Sequence, residues 1–212
     1  MTPPDFDQEF RSRLRELLIW RRDVRRFRAD PLPEGMLDRL IEAACLAPSV
    51  GLSQPWRFVV VESLARRAAI TENFQRCNAE ALEAYGPERA RHYARLKLAG
   101  LREAPCHLAV FADEATQRGH GLGRRTMPEM AAYSVVTAIA YLWLAARAEG
   151  VGMGWVSILD PAQACDSLEV PPDWRLIGYF CLGFPECDHS EPELEIEGWE
   201  HRVADGGYVI RR

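Results

Sequence analysis

The 212-residue chain has no C-x-x-C pair and no two histidines at metal-ligand spacing. Its six cysteines, at 45, 77, 106, 165, 181 and 187, are scattered. That pattern argues against a disulfide framework or a zinc site, and predicts reduced thiols packed as small apolar groups in a cytoplasmic protein. The chain also lacks an excess of positive charge. Its formal net charge is −5, which does not suit nucleic acid, a ligand that rewards a basic stripe. No repeat, low-complexity tract or long linker divides it, so one domain over residues 1–212 is expected, with an arm at about 185–212. The opening "MTPPDFDQEF" is acidic and has no apolar core, so it is not expected to be a signal peptide. The longest apolar stretch, Met130 to Ala146, is short for a membrane span and contains Ser134 and Thr137; a buried core helix is expected instead.

What is present reads as alternating helices and strands. Residues 5–20 suit a helix with Phe6, Phe10, Leu14, Leu17 and Leu18 on one face. Pro33 and Glu34 open a second, which Pro48 ends. Residues 64–85 and 87–103 look helical, broken at Gly86-Pro87. Short β-branched runs predict strands near 57–62, 107–112, 153–159 and 176–183, with a short helix after Asp160-Pro161. The helix over 128–149 is apolar nearly all round, and such a helix must be covered on every side. A homodimer with this helix near its interface is the economical way to meet that need; a monomer with the helix at its centre is the alternative.

Four segments could carry chemistry. "RRDVRRF", residues 21–27, sets Asp23 among Arg21, Arg22, Arg25 and Arg26. Guanidinium forks match a phosphate dianion, although charge runs are often only solvated surface. "APSVGLSQPW", residues 47–56, is a compact loop whose Ser49, Ser53 and Gln54 offer short polar groups. "GHGLGRR", residues 119–125, has G-x-G-x-G spacing with Arg124 at the last glycine's place. It fails the dinucleotide fingerprint and is expected to be a basic, mobile lid or loop. In "GVGMGWVSILDP", residues 150–161, Gly152 and Gly154 permit close backbone approach, and period-2 alternation puts Trp155 and Ser157 on one face. No G-x-S-x-G elbow surrounds Ser157, which argues against a hydrolase nucleophile.

In this order the segments resemble the nitroreductase-like flavoproteins. Pro48-Ser49 to Gln54-Pro55-Trp56 matches their flavin loop, with Leu52 where asparagine is usual. "LKLAGLREAP", the run from Gly119 to Pro161 and the tail's "GWEHR" are similar to the branch of that superfamily that makes 5,6-dimethylbenzimidazole. The resemblance covers roughly residues 14–202. It implies an α+β, three-layer α-β-α fold with a mostly antiparallel sheet, and a homodimer with flavin at the interface. It implies that reduced FMN is consumed as a substrate with dioxygen and without a metal: the ribityl C1′ becomes C2 of the benzimidazole, and erythrose 4-phosphate leaves. A separate flavin reductase could supply the reduced FMN. Asp23 and Ser157 are the implied catalytic pair. Arg21, Arg22, Asp23, Val24, Arg25, Pro48, Ser49, Gln54, Gly154, Ser157 and Arg202 are the implied flavin contacts. Two other readings stand beside it: a nitroreductase or flavin reductase that retains FMN and uses NAD(P)H, and a non-catalytic flavin-binding module.

Overall fold

The computed structural model describes residues 3–203 and 208–212. At its centre is a four-stranded sheet: β1 (Trp56–Val60), β2 (Cys106–Asp113), β3 (Gly152–Val156) and β4 (Trp174–Gly183). The order is β1-β2-β4-β3, and every neighbouring pair is antiparallel. β2 is central and buried along nearly its whole length, which is why it reads as a continuous apolar run.

Helices cover both faces, giving three layers. On one face, α2 (Met36–Ala44) and α5 (Met130–Ala148) pack Leu40, Val135, Ile139 and Leu142 against Leu108, Val110, Phe180 and Leu182. On the other, α3 (Leu64–Glu83) and α6 (Pro161–Leu168) pack Ile70, Ala164 and Leu168 against Ala109, Phe111, Tyr179 and Cys181. Successive residues of β2 thus feed opposite cores, as strand pleating requires. Side-chain caps start the outer helices. Ser63 accepts from Arg66 N at the head of α3, and Asp160 accepts from Ala162 N and Gln163 N at the head of α6.

Several elements differ from the sequence expectation. α1 (Gln8–Trp20) is amphipathic but buries none of its residues; Phe6, Phe10, Leu14 and Leu18 are all more than 40% exposed. α2 starts at Met36, because Gly35 takes φ +70° and holds the preceding turn out of the helix. The helix expected over 87–103 is only α4 (Pro87–Tyr93). Beyond it, Gly100 lies against the Phe27 ring, where a Cβ would clash, and the Lys97 carbonyl accepts from Arg25. These tertiary contacts replace continued helix. β3 stops at Val156, so Ser157 lies just past the strand.

The apolar helix α5 is covered on one side only. Tyr133, Val136 and Tyr141 lie on its exposed stripe. The arm folds back onto the same chain. Its α7 (Glu193–Ile196) is followed by Trp199, which packs edge-on against Tyr85 and His92, with Arg89 over its ring.

Candidate active site

Residues 21–28 run extended beside the edge strand β3. Asp23 bridges Met153 in parallel, Val24 N donates to Met153 O (3.1 Å), and Arg28 N donates to Phe184 O (2.8 Å). The close backbone approach read from Gly154 is to this segment. A Cβ on Gly154 would fall well inside contact distance of the Val24 carbonyl oxygen, and one on Gly152 would press on the Val24 side chain. The two glycines let the arginine segment lie flat on the sheet edge.

Asp23 is the pin that fixes it there. Its Oδ1 accepts from Trp155 N and its Oδ2 from Arg25 Nε, both at 2.8 Å. Asp23 and Arg25 are two residues apart on an extended segment, so their side chains share a face. Arg25 is only 12% exposed and also donates to the Lys97 carbonyl (3.0 Å). A guanidinium so buried needs an acceptor close by, and Asp23 supplies it.

The other arginines divide their work. Arg22 donates Nε to the Ser190 carbonyl (2.9 Å) and Nη1 to the Arg21 carbonyl (2.6 Å), clasping the arm. Arg26 pairs with Glu193 at 3.3 Å. Arg21 lies over the Trp143 ring, 4.9 Å from its centroid. Among the described residues its guanidinium has no hydrogen-bond partner. Burial pulls Arg21 below the ordinary arginine range; Asp23 offsets part of this, and the Arg202 charge adds to it. Arg22 is lowered by burial, then by Arg202 and Arg21. The Arg202 charge, from the arm, is thus felt at both Arg21 and Arg22. Like charges at the partly buried Arg21 and Arg22, with the exposed Arg202 adding to them, suit an anion that would relieve the repulsion.

Beside this cluster, Trp143, Trp155 and Phe180 pack ring on ring, with centroids 5.0–6.5 Å apart. The Trp143 indole N–H donates to the Arg22 carbonyl (3.1 Å). Ser157 follows this aromatic wall, exposed, with no hydrogen-bond partner among the described residues.

The second group of implied contacts lies elsewhere. The loop at 48–55 feeds β1, at the opposite edge of the sheet from β3. Three strand spacings separate those edges, roughly 14 Å. The cavity beside Asp23, Val24 and Arg25 is lined by none of Pro48, Ser49 and Gln54. The loop itself is tightly built. Ser49 Oγ accepts from Gln54 N (3.0 Å), and Val50 N donates to Ser134 Oγ (3.0 Å). Gly51, Leu52 and Gln54 all have positive φ. Ser53 Oγ is buried without a partner among the described residues. Sequence reasoning passed over Ser134, whose signal was a lone hydroxyl on the buried face of an apolar helix. It also passed over Trp143, which nothing in the local sequence links to Arg21 and Arg22.

A family model described as "Nitroreductase family" matches residues 18–184. The chain belongs to the nitroreductase family. Its relatives include a "5,6-dimethylbenzimidazole synthase" of Rhodospirillum rubrum, 57% identical over 95% of both chains. A protein of the same name from Rhodobacter capsulatus is 46% identical over 94% of this chain and 96% of its own. Among solved structures, oxidised iodotyrosine deiodinase bound to FMN and 3-iodo-L-tyrosine superposes with a TM-score of 0.70. It is 26% identical over 83% of this chain and 91% of its own. The antiparallel sheet between helical layers is thus the nitroreductase fold, and the α+β expectation holds.

Proposed function

We propose that this nitroreductase-family chain is a 5,6-dimethylbenzimidazole synthase. Reduced FMN and dioxygen are its substrates, and 5,6-dimethylbenzimidazole and erythrose 4-phosphate are its products. The observation that carries the reading is the 57% identity to a protein of that name across 95% of both chains.

The geometry supports an FMN phosphate held by Arg21 and Arg202, with Arg22 beside them. Arg25 is committed to Asp23 and Lys97, so its part is to shape the segment. The Trp143–Trp155–Phe180 wall lies next to that anion site, where a ring attached to the phosphate chain would reach, and the exposed Ser157 follows Trp155 two residues on. Ser157 would hydrogen-bond the ring. Asp23 would move protons at the ribityl carbon, a task for a carboxylate that a guanidinium cannot perform.

Two half-sites on opposite sheet edges favour a homodimer in which one copy's loop at 48–55 covers the other's arginine cluster. The uncovered apolar faces of α1 and α5 supply the surface for that pairing. Sedimentation showing a fully active monomer at micromolar concentration would remove the second copy from the site.

Incubating the protein with chemically reduced FMN in air tests the reading. Mass spectrometry should find the benzimidazole, and the protein should purify without a retained yellow flavin. A tightly yellow protein that turns over NAD(P)H and yields no benzimidazole would instead be a reductase with FMN retained.

A further inference from the structure

The loop "GHGLGRR" has no part in the reading above, yet it touches the flavin-side loop closely. Gly51 and Gly119 interlock: a Cβ on Gly119 would collide with the Gly51 carbonyl, and one on Gly51 would crowd the carbonyls of Gly119 and Leu122. Gly123 is seated against Val50 in the same way. Both loops carry left-handed non-glycine residues, Leu52 and Gln54 in one and His120 in the other. Such residues cost energy and persist only where their surroundings hold them. One polar side-chain bond joins the loops: Arg118 Nη2 donates to Gln54 Oε1 at 3.1 Å.

That bond decides which edge of the carboxamide is free. A carboxamide has an acceptor edge and a donor edge, and can rotate to offer either. The guanidinium has only donors to offer, so the bond turns the Oε1 edge of Gln54 toward Arg118 and leaves the NH₂ edge facing away from it. The geometry points to Arg118 as a positioning residue that locks Gln54 as a hydrogen-bond donor toward a heteroaromatic acceptor atom of the bound ligand. The 118–123 loop is then a brace for the ligand loop. This rests on the proposal that the 48–55 loop meets the flavin.

A double-mutant cycle on full-length protein tests it, with FMN affinity read by flavin fluorescence. Arg118→Ala should weaken FMN binding about tenfold, the size of one oriented, charge-assisted hydrogen bond. Arg118→Lys, which keeps a donor, should recover most of this. In a Gln54→Ala background, Arg118→Ala should change affinity by less than about twofold, because there is no carboxamide left to orient. Gly119→Ala should reproduce the Arg118→Ala defect with the sheet core intact by thermal unfolding. Additive effects of Arg118→Ala and Gln54→Ala would overturn the inference and make Arg118 a direct ligand contact; no effect of Arg118→Ala would overturn it outright. Failure of the functional reading has a different signature: reduced FMN in air would yield no benzimidazole, whereas the double-mutant cycle reads FMN affinity alone and is judged on its own pattern.

Discussion

Replacing Asp23 with asparagine separates its two roles. The substituted carboxamide can still accept from Trp155 N through its oxygen. Its NH₂ must then face Arg25 Nε–H, donor against donor, where the structure has a 2.8 Å ion pair. Arg25 is 12% exposed, so water replaces the lost acceptor poorly. Losing one charge-assisted hydrogen bond at such a place costs about 1.5–3 kcal/mol. For a chain of this length each kcal/mol lowers Tm by roughly 2–4 °C, so a fall of about 3–12 °C is expected. The catalytic role predicts a second, independent loss. Benzimidazole formed per reduced FMN oxidised should drop by roughly 10²–10⁴-fold, the range for general acid–base groups, measured below the mutant's Tm and at saturating reduced FMN. The assay is paired thermal unfolding and product quantification by mass spectrometry. A destabilised Asp23→Asn protein with the wild-type product ratio would show that Asp23 is only the pin. An unchanged Tm would refute the pinning argument itself.

Arg21→Ala should weaken FMN binding about 10- to 100-fold, the equivalent of a charged hydrogen bond, and leave riboflavin binding unchanged, as titration of both ligands would show. Gly154→Ala should destabilise the ligand-free protein by about 1–3 kcal/mol in denaturant unfolding, because the added methyl meets the Val24 carbonyl; a pure flavin contact would alter affinity alone. His107 is buried against the Tyr179 hydroxyl (2.9 Å), and burial, then the nearby Arg67 charge, lowers its pKa from 6.5 to about 4. The unfolded chain therefore takes up a proton before the folded one does. This stabilisation is complete above pH 6.5 and is lost as pH falls toward 4, by up to about 3 kcal/mol. Unfolding curves for wild type and His107→Gln that stay parallel across that window would disprove it.

The layers were legible because their signals are local. Short β-branched and apolar runs marked β1, β2 and β4 to within a few residues, and the apolar run of α5 marked the helix under the sheet. Long-range pairing was not legible. Nothing within 94–105 announces that Gly100 must admit the Phe27 ring, so continued helix was the natural reading. Nothing within "GHGLGRR" names Gly51 as its partner, since both sets of glycines look like ordinary turn chemistry until the loops meet. Gly154 showed close approach correctly, but its neighbour is the chain's own Val24. For the site, residue types pointed to an anion and a ring. Only the fold divides the arginines into the buried Arg25, the arm-clasping Arg22 and Arg21, which lies over the Trp143 ring.

That division bears on why an aspartate stands among arginines. As a counter-ion it has a sufficient structural reason: an edge-strand N–H and a buried guanidinium both need an acceptor, and one carboxylate serves both. The engagement does not remove it from chemistry. Each carboxylate oxygen has two acceptor positions, and each uses one. The side chain remains 32% exposed, so a proton donor can reach it. A free carboxylate at the surface would rotate among rotamers. This one is held at both oxygens on a rigid strand edge, the condition for a group that must meet a particular carbon. The same two bonds that make Asp23 a structural pin would also hold it in place for the proton transfer proposed for it. Substitutions that loosen them from the far side, such as Gly154→Ala, should therefore lower product ratio and stability together, whereas Asp23→Asn should lower the ratio far more than its stability loss accounts for.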